Sequence, residues 1–164
     1  MTVIVVMGVS GSGKTTIGTA LAAALDVEYA EADTFHPKAN IDKMTAGTPL
    51  TDADRAPWLE AIAGWIREHE ATGGVVTSSA LKRRYRDVLR SGGDVWFAHL
   101  DGPRELLAER MQTRSGHFMP VSLLDSQLAT LEPLQPDEPG AIFAITGTPA
   151  EITEAALTAF REHA

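Results

Sequence analysis

The plainest chemistry in this chain lies near its start. Gly8, Val9, Ser10, Gly11, Ser12, Gly13, Lys14 and Thr15 fit the pattern G-x-x-x-x-G-K-[ST] without exception. The glycines let the backbone curl until successive N–H groups point inward, where phosphate oxygens can accept from them. A helix that follows, with Thr16 in its first turn, adds its positive end. Lys14 supplies a point charge for the β- and γ-phosphates. The Thr15 hydroxyl is placed to ligate Mg²⁺, an ion that takes few protein ligands and keeps waters. ATP and Mg²⁺ are therefore the expected cofactors. The Asn-Lys-x-Asp sequence that reads guanine is absent, and the third strand ends on Thr77, Ser78 and Ser79 rather than on the acid of a motor ATPase. A small-molecule kinase fits best.

A second group of residues suits a phosphoryl acceptor. Asp33, Thr34, Phe35, His36 and Pro37 follow a short strand, and loops at the carboxyl ends of parallel strands line the ligand crevice. Asp33 can accept the acceptor hydroxyl's proton, and His36 is a candidate contact beside it. Asp52 and Asp54 suit the first turn of a helix, but Arg55 opposes the helix dipole there. A substrate carboxylate matches its planar fork. Lys82, Arg83, Arg84, Arg86 and Arg90 put five cations on one helix. A solvated face is the default for such a run, nucleic-acid binding is the second reading, and an inward turn of one or two charges is the third. Lys82 and Arg86, at i and i+4, are the choices for that inward role. Arg110 and Arg114 share the same spacing before Ser115, Gly116, His117 and Phe118, the layout of a lid over about 111–122 that brings an arginine to the developing charge.

These groups need a scaffold. Val3–Met7 is an uninterrupted β-branched run, as in a strand buried on both faces. Helices are predicted over Gly13–Leu25, Asn40–Thr45, Asp54–Glu70, Leu81–Arg90, Arg104–Arg114, Val121–Leu131 and Pro149–Arg161. Strands are predicted over Val27–Ala32, Val75–Ser78, Val95–Leu100 and Ala141–Ile145. Pro57 is expected in the first turn of its helix, and Thr148 is expected to cap the last helix with Pro149 in its first position. Five strands alternating with helices imply an α/β fold, a parallel sheet with helices on both faces. The 164 residues fit one domain, 1–164, with an acceptor region over about 33–70.

Composition narrows the partners. A net charge of −8 repels nucleic acid and anionic membrane surfaces. The absence of cysteine agrees with a reducing compartment. No apolar run approaches a membrane span. The expectation is a cytoplasmic protein with a small-molecule substrate, no nucleic acid and no membrane partner.

Five stretches together resemble one family, the bacterial-type gluconate kinases. They are Met7–Lys14; Asp33–Pro37 continuing to Asn40, Lys43 and Met44; Gly47–Leu50 with Asp52, Asp54, Arg55, Pro57 and Trp58; Ser79–Asp87; and Gly116–Met119 with Ser126, Gln127, Leu131 and Glu132. They span roughly residues 7–132. The phosphate loop is common to many families, whereas the Phe-His-Pro and Ala-Leu-Lys-x-x-Tyr-Arg stretches are much more specific. The resemblance implies phosphorylation of D-gluconate by ATP, a nucleoside-monophosphate-kinase-like fold, Mg²⁺ dependence and a homodimer. It implies Lys14 and Thr15 on phosphates and metal, Asp33 as base, His36 and Arg55 in the acceptor region, and Arg110, Thr148 and Pro149 around the adenine; Lys43, Lys82, Arg86 and His117 are further acceptor candidates. Arg114 would belong to the lid. Shikimate kinases share the layout but lack the two specific stretches, and a regulatory nucleotide-binding module would need neither base nor lid arginines.

Overall fold

The computed structural model describes residues 2–48, 50–113 and 121–163. The elements run β1 (Val3–Met7), α1 (Lys14–Leu25), β2 (Glu28–Glu31), a 3₁₀ turn (Ala32–Phe35), α2 (Lys38–Thr45), α3 (Asp52–Glu68), β3 (Gly74–Thr77), α4 (Arg83–Arg90), β4 (Val95–Asp101), α5 (Arg104–Thr113), α6 (Val121–Thr130), β5 (Gly140–Ala144) and α7 (Pro149–His163). All strand pairs are parallel, in the order β2-β3-β1-β4-β5. The five-stranded α/β sheet expected from the alternation is therefore present.

Alternation along each strand divides the core in two. Ile4, Val6, Val75, Trp96, Ala98 and Leu100 meet Ile17 and Leu21 of α1, Leu107 of α5, Leu124 of α6 and Ile152 of α7. Val3, Val5, Met7, Val76, Val95 and Phe97 face the other way, against Trp58, Ile62 and Ile66 of α3 and Leu89 of α4. Every residue of β1 is fully buried, as a central strand with helices on both faces requires.

Local chemistry sets the boundaries that differ from expectation. β2 stops at Glu31 because the chain tightens into the 3₁₀ turn, where Trp58 Nε1 donates to the Ala32 carbonyl at 2.7 Å. α3 starts two residues early because Thr51 caps it. Thr51 Oγ1 accepts from the Asp54 amide at 3.1 Å, and Asp54 Oδ2 accepts from the Thr51 amide at 2.9 Å. Pro57 consequently lies in the second turn rather than the first, and the Ala53 carbonyl loses its intrahelical donor. Ala53 and Pro57 are both exposed, so water can serve that carbonyl. The cap predicted at Thr148 is present, with Glu151 as its reciprocal partner.

Candidate active site

The loop between β1 and α1 has the conformation its glycines permit. A Cβ at Gly8 would lie 2.7 Å from both the Leu100 carbonyl oxygen and Ser12 Oγ. Gly13 has φ 93°, in the left-handed region, and its carbonyl accepts the Ile17 amide at 3.0 Å as α1 begins. Lys14 Nζ lies over the loop, donating to the carbonyls of Gly8 at 2.9 Å and Val9 at 3.2 Å. From α6, Gln127 Oε1 accepts the Ser10 amide at 2.7 Å.

One participant escaped the sequence reading. Glu31 ends β2, and its Oε1 accepts from Thr15 Oγ1 at 2.7 Å and from Tyr29 Oη at 3.0 Å. A hydroxyl and a carboxylate side by side form a hard oxygen pair of the kind Mg²⁺ prefers. The available signal was position. Glu31 stands two residues before Asp33, at the carboxyl end of a strand one place removed from β1.

A cleft of about 240 Å³ opens beside the loop, lined by Gly11, Gly13, Thr15, Thr16, Arg110 and Pro149 among others. Arg110 reaches it from α5 with one terminal nitrogen donating to the Ile145 carbonyl at 2.8 Å. The fold thus brings Thr16, Arg110 and Pro149 together, with Thr148 adjacent as the α7 cap.

Asp33 is exposed in the 3₁₀ turn. His36 stacks on Trp58 with ring centroids 4.3 Å apart and planes 12° apart. Burial holds the His36 imidazole below its ordinary range, with Asp33 drawing it up and Arg55 pressing it down. One terminal nitrogen of Arg55 donates to the Leu50 carbonyl at 3.0 Å and to Tyr85 Oη at 3.3 Å. Tyr85 Oη donates to Asp52 Oδ1 at 2.6 Å. The charged ends of Arg55, Lys82 and Arg84 stand 5.6, 5.7 and 5.7 Å from the Tyr85 ring centre. Arg84 is paired with Asp52. The α3–α4 junction therefore carries three cations around one tyrosine, held partly by one carboxylate.

Two expected acceptor contacts are otherwise occupied. Arg86 is 0% exposed. Its Nε and one terminal nitrogen donate to Glu138 at 2.6 and 2.9 Å, and its terminal nitrogens also donate to the carbonyls of Ala80, Glu132 and Pro133. The inward turn predicted for it is real, but it points into the protein and Arg86 offers nothing to a substrate. The reason is Glu138, a buried carboxylate 52 residues away that binds the guanidinium. Lys43 is bound to both Asp54 oxygens at 2.8 Å, which holds the Asp54 carboxyl down at about 2. Its charge serves the α2–α3 junction. Arg114 and His117, and the centre of the expected lid, lie outside the described residues.

Comparison with known proteins sharpens the picture. The shikimate kinase family model matches residues 10–132. A gluconokinase of Gluconobacter oxydans is 56% identical over 140 residues, covering 83% of this chain and 78% of its own. A gluconokinase structure from Sinorhizobium meliloti superposes with a TM-score of 0.90 at 47% identity, covering 98% and 92% of the two chains. The unliganded structure of a sugar kinase from Janibacter superposes with a TM-score of 0.91 at 52% identity, covering 98% and 95%. The family model and the individual relatives name different acceptors. The gluconokinases are about half identical over four-fifths or more of the chain, so they carry more weight than the broader family model.

Proposed function

The chain belongs to the gluconokinase family, and from that premise we infer that it transfers the γ-phosphoryl group of ATP to the primary hydroxyl of D-gluconate, giving 6-phospho-D-gluconate and ADP. The observation that carries this reading is a convergence. The phosphate loop after β1, the Asp33 turn after β2 and the Arg55–Tyr85–Lys82 cluster meet at the carboxyl edge of one parallel sheet. That edge is where a nucleotide and an acceptor can meet.

In this reading the loop amides and Lys14 hold the phosphates and offset the charge that develops on transfer. Asp33 accepts the hydroxyl proton as the new O–P bond forms and the bond to ADP breaks. Arg55 and Lys82 read the gluconate carboxylate. Arg110, Thr148 and Pro149 border the adenine. Mg²⁺ would be held by Thr15 and Glu31, where it would neutralise phosphate charge. Among the described residues no group of three or more acids or histidines could hold a metal ion, so phosphate and water would complete its shell. The lid role of Arg114 and the acceptor role of His117 rest on the sequence reading alone. A homodimer in the cytoplasm is also part of this reading. No helix among the described residues is long and apolar enough to cross a membrane.

A coupled ADP-release assay with gluconate, glucose and shikimate tests it. Glucose shares the primary hydroxyl but lacks the carboxylate, leaving a charged hydrogen-bonding group unpaired in the cleft. A loss of several kcal/mol follows, so kcat/KM should favour gluconate at least about a hundredfold. Arg55→Leu should narrow that gap by hurting gluconate more than glucose. Equal turnover of gluconate and glucose would show that no carboxylate is read, and efficient turnover of shikimate would assign a different acceptor.

A further inference from the structure

The Nδ1 side of His36 is held with unusual specificity. Asn40, on α2, is 2% exposed. Its Nδ2 donates to the Asp54 carbonyl at 2.8 Å and stands 3.2 Å from His36 Nδ1. The Asp54 carbonyl can only accept, so it fixes which end of the Asn40 amide is the NH₂ group. That NH₂ has a second hydrogen for His36 Nδ1, which must therefore be the unprotonated nitrogen. In a neutral imidazole the proton then sits on Nε2. Nε2 makes no hydrogen bond to any described residue, while Asp33 and Arg55 are the charged neighbours the ring feels. Trp58 fixes the ring plane by stacking, and through the Ala32 carbonyl it also fixes the turn that carries Asp33.

We propose that Asn40 is a positioning residue that locks His36 as the Nε2–H tautomer, so that the ring presents one uncharged donor to a hydroxyl of the acceptor beside Asp33. The proposal rests on the acceptor role given above to the Asp33 turn and Arg55. It gives the Asn40 and His36 positions one joint task. A neutral donor can orient a polyol without cancelling the charge of Asp33. An imidazolium would need Nδ1 to donate toward the Asn40 NH₂, and Asn40 could accept that bond only by turning its oxygen toward the Asp54 carbonyl.

Nitrogen NMR of the histidine-labelled full chain reads the tautomer directly. Above neutral pH, wild-type His36 should show an unprotonated Nδ1 and a protonated Nε2, and Asn40→Ala should show a mixture of the two forms. A wild-type ring protonated on Nδ1, or averaging between tautomers, overturns the lock. Steady-state kinetics of two His36 variants provide a check that does not depend on Asn40→Ala folding. His36→Gln places an amide nitrogen near Nε2, and His36→Asn places one near Nδ1. His36→Gln should retain the higher kcat/KM for gluconate by about fivefold or more, the net value of one hydrogen bond. The reverse order overturns the proposal. A locked tautomer with gluconate kinetics untouched by either substitution overturns the acceptor contact, and with it the reading of the cleft rather than of the lock.

Discussion

Replacing Arg86 with methionine separates a structural guanidinium from a substrate contact. Arg86 and Glu138 are 0% exposed and joined through both carboxylate oxygens. Removing the guanidinium leaves the Glu138 carboxylate buried with the Gln135 amide as its one remaining hydrogen-bond donor among the described residues, and strips a donor from three backbone carbonyls. Breaking a buried pair from one side costs about 3–5 kcal/mol. Against the roughly 5–15 kcal/mol that holds a typical domain folded, that is about a fifth or more of the total. With a urea dependence of about 2 kcal/mol per molar, the unfolding midpoint should fall by about 2 M. Equilibrium urea unfolding, followed by tryptophan fluorescence and circular dichroism, measures this. Glu138→Leu in the Arg86→Met background should recover part of the loss, since the unpaired charge is then gone. Gluconate KM in Arg86→Met, measured below its unfolding transition, should stay within about threefold of wild type. A midpoint shift under about 0.5 M with a large rise in gluconate KM would refute the structural reading and return Arg86 to the acceptor site.

Three further outcomes test the site and the scaffold. Asp33→Asn keeps the shape of the carboxylate and loses its basicity, so kcat should fall by about a hundredfold or more with ATP affinity little changed; a rise in gluconate KM at constant kcat would make Asp33 a binding group. Glu31→Gln should raise the Mg²⁺ concentration required for half-maximal activity by about tenfold, and an unchanged Mg²⁺ titration would remove Glu31 from the metal site. Burial alone would lower the His69 imidazole, but the Glu28 carboxylate at 2.7 Å from Nε2 and the Trp65 carbonyl at 2.7 Å from Nδ1 raise it overall. The folded state then holds the proton more tightly than the unfolded chain, so this stabilisation is complete below the unfolded value of about 6.5 and is lost as pH rises through the folded one. The gap in thermal midpoint between wild type and Glu28→Gln should be widest below about pH 6.5 and close on the alkaline side, whereas a gap constant with pH would contradict the linkage.

What could be read from the sequence was what local chemistry dictates. A loop that wraps phosphate needs glycines and a lysine at fixed offsets, so Gly8–Thr15 announces itself. The three central strands are legible because burial on both faces leaves short apolar runs such as Val3–Met7, and the edge strands β2 and β5 are legible from their place in the alternation with helices. The cap at Thr148 follows from its place before Pro149, whereas Thr51, which starts α3 two residues before the expected Asp54, was not read. Long-range pairings were not legible. Nothing in Lys82–Arg90 says which cation is buried, because Arg86 is selected by Glu138, 52 residues further along the chain. Lys82 and Arg86 looked equivalent at i and i+4, yet Lys82 stays partly exposed beside the Tyr85 ring while Arg86 is fully buried. Glu31 was passed over because a lone glutamate in a strand has no pattern, and it gains meaning only when Thr15 is seen beside it. The 3₁₀ turn was missed for a similar reason, since Trp58 closes it from 26 residues away.

The order of strands has a consequence for how the enzyme breathes. β1, which launches the phosphate loop, is flanked by β3 and β4, and its amides are sealed from both sides. β2, which launches the Asp33 turn, is an edge strand whose residues are only partly covered or exposed. Edge elements open locally at small free-energy cost, whereas central ones wait for the whole domain to unfold. Amide protons of Val3–Met7 should therefore exchange with solvent only on global unfolding, and those of Glu28–Glu31 through local excursions. The nucleotide would meet a surface already rigid, while the acceptor half could loosen, admit its polyol and settle again without disturbing the cradle beside it.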